Sequence, residues 1–157
     1  MGFGVREYGI VNTSLGVGSA IGAVAFSLIV IKNPRPSMVL LTVFLQGITL
    51  SFIGLSNHLW LILIFYIIIG IEEAAINILA PSVNHVIIPQ RIFGRVLSVM
   101  ILMMTISQPF SQAGAGWLME TIHPQYIFIG SGIMEVLVAL VTFSFPVIRN
   151  HSVGNIK

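Results

Sequence analysis

From Leu59 the chain reads LWLILIFYIIIG without a charge, then sets Glu72 and Glu73 side by side, with Asn77, Pro81 and Asn84 following before Val86. An apolar run of this length calls for a lipid-like solvent, in which a carboxylate costs at least a few kcal/mol unless it faces protein or water. The fold must therefore receive the acid. At 3.6 residues per turn Tyr66, Gly70, Glu73, Asn77 and Asn84 fall within a sector of roughly 60°, whereas Glu72 points about 100° away from Glu73. Glu73 belongs to a polar stripe, and Glu72 does not.

The rest of the chain agrees with that solvent. Hydrophobic residues make up 56% of it and charged residues 8%, with a mean hydropathy of +1.01, whereas a soluble domain is about a quarter charged. The lipid bilayer is thus the first partner. A net charge of +2 spread over so few ionisable groups forms no basic patch, so no nucleic acid is expected. With no cysteine there is no thiolate metal site. Proline, glycine and charge divide the sequence into five apolar segments, residues 9–31, 38–55, 59–88, 96–119 and 126–148. Each is long enough to cross a hydrocarbon core of ~30 Å as a helix, and barrel strands would be shorter and alternating. The expected fold is all-α, one polytopic membrane domain of five transmembrane helices over residues 1–157. The third segment is overlong, so it tilts or its turns from Pro81 onward stand clear of the lipid.

Orientation follows from the basic residues. Lys32 and Arg35, Arg91 and Arg95, and Arg149 and Lys157 occupy alternate connections, while Arg6 on the other side is offset by Glu7. The positive-inside rule then puts the C-terminus in the cytoplasm and the N-terminus outside. Arg91, Gly94 and Arg95 are read as a cytoplasmic loop ahead of the fourth helix. In the first helix Ser14, Gly18 and Gly22 recur every four residues, the spacing that lets helix backbones approach closely, and Ser107, Ser111 and Ala115 repeat it in the fourth. Glycine is also simply frequent in membrane helices.

Two readings stand for Glu73: a group that exchanges protons or counters a cationic ligand, and a neutral structural acid bonded to a neighbouring helix. Its neighbours Tyr66, Asn77 and Asn84 favour the first; for Glu72, flanked by Phe65, Ile69, Ile76 and Leu79, bonding to an adjacent helix is favoured. Gln108 and Gln112 share a face with Thr105 around Pro109 and need partners, whether a substrate in a wet cavity or another helix. Glu135, near Ser131, Gly132 and Thr142, suits tight helix packing. No enzyme constellation is present: the chain has no Asp, no phosphate loop, and four histidines, His58, His85, His123 and His151, too scattered for one metal. No catalytic residue, metal or cofactor is expected.

One stretch carries a family likeness. IPQRIFGRVLSVMILMMTISQPFSQAGAGWLME, Ile88 to Glu120, resembles the loop and eleventh helix of a major facilitator superfamily permease of the drug and macrolide efflux type. YGIVNTSLGVGSAIGAVAFSLI resembles its glycine-rich eighth helix, and HLWLILIFYIIIGIEEAAINILAPSVNHVI its tenth. The loop KNPRPS departs from that family's pattern, lacking an acidic residue and Gly-Arg-Arg. The resemblance implies a partial C-terminal half, helices eight to twelve of a truncated permease, in which Glu73 and Asn77 line the substrate or proton cavity and the Ser14 row and Gln108 address the other half; Tyr66, Gln108 and Gln112 are counted with Glu73 and Asn77 as cavity candidates. It also implies proton-coupled efflux of amphipathic small molecules across the cell membrane, with the missing N-terminal half as partner. The competing reading is a stand-alone five-helix membrane interaction or immunity protein whose partner is another membrane protein.

Overall fold

A backbone in lipid must satisfy its own hydrogen bonds, which long apolar runs do by forming helices. The computed structural model describes residues 5–29 and 34–145, and in these it is all-helical. The helices are α1 (Val5–Leu28), α2 (Pro36–Leu55), α3 (Leu59–Ile87), α4 (Gln90–Thr121) and α5 (Pro124–Phe143). All five are long and apolar enough to cross a membrane. Large apolar side chains cover the outside: Trp60 is 79% exposed, Phe110 75% and Met134 69%. A coat of this kind requires lipid, because soluble monomers rarely expose contiguous apolar patches beyond a few hundred Å².

Proline starts three of these helices. Pro36 and Pro124 stand in the first turns of α2 and α5, where a missing N–H removes nothing, and Pro89 is the N-cap of α4. The last of these corrects the expected cytoplasmic loop. Arg91, Gly94 and Arg95 are helical, in the opening turns of α4, which begins at Gln90 and not at Val96. Pro89 turns the chain sharply after α3, and His85 stacks on Phe93 across the corner with ring centroids 4.2 Å apart, leaving no length for a loop. Inside α3, Pro81 does not end the helix, which runs on to Ile87. Lys32, Arg149, His151, Lys157 and the expected segment ends at Ile31 and Ile148 lie outside the described residues.

Four helices pack side by side in the order α1, α3, α2, α5, and α4, with no buried residue, touches this layer only slightly. Glycines set the spacing. No described glycine has a positive φ, so their use here is close approach and not turning. Gly18 abuts the backbone of Ile67, Gly22 that of Ile71 together with Ala74, and Gly70 returns the contact against Leu15 and Ser19. Rising numbers meet rising numbers, so α1 and α3 are parallel. On the other flank of α2, Gly47 meets Gly132 and Val136 while Gly54 meets Gln125 and Ile129, an antiparallel seam. Between the seams lies a thin core that includes Ile53, Ile62, Ile69, Leu79 and Val83, with Ile53 only 1% exposed.

Candidate functional site

The third helix has two packed sides and two open flanks. Gly70, Ile71 and Ala74 address α1. Phe65 stacks on Phe52 of α2 at 5.9 Å between ring centroids, and Glu72 meets Thr49 of the same helix. These two sides lie roughly 160–200° apart around α3, leaving one flank centred near Glu73 and the other near Ile64. The flanks differ in chemistry. Ile64 and Ile68 are exposed apolar residues on one, with Trp60 at its end, whereas on the other Glu73 and Asn77 are exposed and Tyr66 and Asn84 are half-buried.

The structure therefore keeps Tyr66, Glu73 and Asn77 on one face but does not wall them in. Gln108 and Gln112 are exposed along α4, a helix with no buried residue, and are not brought against Glu73. Two of the clearest depressions lie between α2 and α5, lined by residues such as Leu41, Phe44 and Phe143, or Ile48, Phe52 and Leu137. A third, more polar, runs along α1 past Arg6, Thr13 and Ser14 to Ile67.

Glu72 is placed differently from its neighbour. It is half-buried, Thr49 Oγ1 lies 3.0 Å from its Oε1, and its Oε2 is buried without a partner. Thr49, only 8% exposed, also lies 3.1 Å from the carbonyl of Leu45. Glu135 is half-buried on α5 close to the contact of Gly132 and Val136 with Gly47. Ser14 is half-buried in the α1–α3 seam, and Gly18 and Gly22 are buried there.

Two further features were not singled out from sequence. Gly47, Ser51 and Gly54 of α2 face Gly132 and Gln125 of α5, and their three- and four-residue spacing is the signal that would have found them. At the adjoining helix ends Gln125 Nε2 donates to Asn57 Oδ1 at 2.8 Å. In α3 and α4 the prolines free the carbonyls of Asn77 and Thr105, and nearby hydroxyls donate to carbonyls one turn back, Ser82 to Ile78 at 2.7 Å and Ser111 to Ser107 at 2.9 Å. Among the described residues no group of His, Asp or Glu has metal-binding geometry.

No curated protein and no solved structure gives a significant match to the chain. The sequence profile of the Major Facilitator Superfamily matches residues 1–156. That match runs through all five helices: the chain belongs to the major facilitator superfamily, whose members are multi-pass membrane transporters and not enzymes.

Proposed function

We propose that these five helices correspond to the eighth to twelfth helices of an efflux-type facilitator, and that the flank of α3 bearing Glu73 faces its central path. The observation that carries this reading is the contrast between the two open flanks of α3. Ile64 and Ile68 suit acyl chains, whereas a carboxyl and an amide at Glu73 and Asn77 do not. Their flank accordingly faces water or a further set of helices, as in transporters where two repeats rock about a midplane site. Glu73 then holds a proton or a cationic, amphipathic small molecule, with Tyr66 and Asn77 supplying hydrogen bonds. Gln108 and Gln112 of α4 join this path from the side when the second half is present. By the positive-inside rule Arg91 and Arg95 support a cytoplasmic start of α4 and an N-terminus on the outer side. Family membership does not favour the five-helix interaction or immunity reading.

The test is proton-driven accumulation of a lipophilic cationic dye in everted vesicles carrying the transporter with its complementary helices. Glu73→Gln is expected to abolish the response to a pH gradient while leaving the protein in the membrane. Unchanged proton-dependent accumulation in that variant would remove Glu73 from the mechanism.

A further inference from the structure

The geometry points to Glu72 as an un-ionised acid that donates its proton to Thr49, pinning the rotation of α3 on α2 and thereby aiming Glu73 at the open flank. The argument is one of counting donors. Thr49 has a single hydroxyl proton and two oxygens within reach, the carbonyl of Leu45 at 3.1 Å and Glu72 Oε1 at 3.0 Å. Thr49 can donate to either, but Thr13, Thr42 and Thr105 all donate to the carbonyl one turn back. With Thr49 doing the same to the carbonyl of Leu45, which only accepts, the second bond needs its proton from Glu72. The other carboxyl oxygen agrees. Glu72 Oε2 is buried with no donor near it, which is tolerable for the carbonyl oxygen of an acid and very unfavourable for half of an anion.

Among the described residues nothing packed against Glu72 offsets a charge there. Residues Pro36–Leu55 of α2 include no titratable side chain, and α5, packed on the far flank of α2, carries Glu135, another acid. On α3 itself the nearest ionisable groups are Glu73 and Tyr66. Arg6 lies near the start of α1, beside Gly9 and Thr13. Because successive residues are about 100° apart on a helix, fixing Glu72 toward Thr49 leaves Glu73 one direction in which to point. Glu72 is thus a positioning residue. Its role in aiming Glu73 rests on the proposed function, whereas its protonation does not.

Two readouts separate these parts. Infrared difference spectra of the protein in lipid, parent minus Glu72→Gln, should contain the carbonyl stretch of one un-ionised carboxyl, and Thr49→Val should shift that band. A difference spectrum holding only carboxylate bands would overturn the proposal. Since the chain has no cysteine, Glu73→Cys introduces a single thiol whose labelling by a membrane-impermeant maleimide reports where position 73 points. In that background Thr49→Val and Glu72→Leu should change the labelling rate about fivefold, the population change that follows loss of one hydrogen bond, while Glu72→Gln, which still donates, stays near the parent. Equal rates in all four proteins would overturn the positioning role. A carboxyl band that survives while Glu73→Gln leaves proton-dependent accumulation unchanged would sink the proposed transport role alone.

Discussion

Alanine at Gly18 and alanine at Gly16 add the same methyl to α1 two residues apart, and the structure assigns them opposite outcomes. A Cβ at Gly16 meets nothing within 4 Å, whereas at Gly18 it runs into the carbonyl oxygen of Ile67 and lies 2.9 Å from that residue's Cα. The obstructing atoms are backbone, so no rotamer change relieves them and α1 must retreat from α3. A gap of about 0.5–1 Å forfeits a quarter to a half of each close carbon pair's 0.1–0.2 kcal/mol, so roughly 40 affected pairs weaken the seam by about 1–4 kcal/mol. Alanine's better helix propensity returns up to about 1 kcal/mol. Gly18→Ala should therefore lose on the order of 2 kcal/mol net, and Gly16→Ala should be neutral or slightly stabilising. Unfolding of the purified protein in mixed micelles, driven by sodium dodecyl sulfate and followed by circular dichroism, resolves a difference of that size. If both variants unfold at the parent's detergent fraction, α1 does not lie against α3 through Gly18 and the layer order is wrong.

Other outcomes follow from the same contacts. Gly132→Leu drives a side chain into Ser51 and the backbone of Gly47, so cross-linking of cysteine pairs across α2 and α5 should fail, while Gly130→Leu, in open space, should leave it intact. Gln125→Ala removes the exposed bond to Asn57 and should lower stability by about 0.5–1 kcal/mol in the same unfolding assay; no change would mean that water replaces it. Single cysteines at Gln90 and His123, at opposite ends of α4, should label from opposite sides of the membrane, Gln90 from the cytoplasm, and labelling from one side only would break the orientation.

Periodicity proved a good guide to direction and a poor guide to neighbours. Five uninterrupted apolar runs were enough to expect five helices, because in lipid no other local structure satisfies the backbone. The roughly 100° step between Glu72 and Glu73 likewise separated an acid turned toward another helix from one on an open flank before any partner was known. Which helix would receive each face was not legible. Gly47 and Gly132 become a seam only when α2 and α5 meet, and they stand 85 residues apart in a chain where either helix had several possible mates. The start of α4 was missed because two arginines and a glycine near a helix N-terminus oppose both the macrodipole and propensity, and Pro89 overrode them by fixing the entry geometry. Gln108 and Gln112 are not brought to Glu73 in this layer, and local pattern carries no information on which helices share a face.

The parallel pairing of α1 with α3 has a consequence for biosynthesis. Helices that enter the bilayer one after another most readily form antiparallel neighbours, yet the glycine face of α1 fits a segment that the ribosome makes later, since Ala74 is polymerised about fifty residues after Gly22. At elongation speeds of about 5–20 residues/s that is a wait of some 3–10 s, during which a groove of bare backbone stands open to lipid or to whatever insertion machinery shields it. Slowing translation between these helices should therefore lengthen the time for which nascent α1 can be trapped by a photo-crosslinker placed at Gly18.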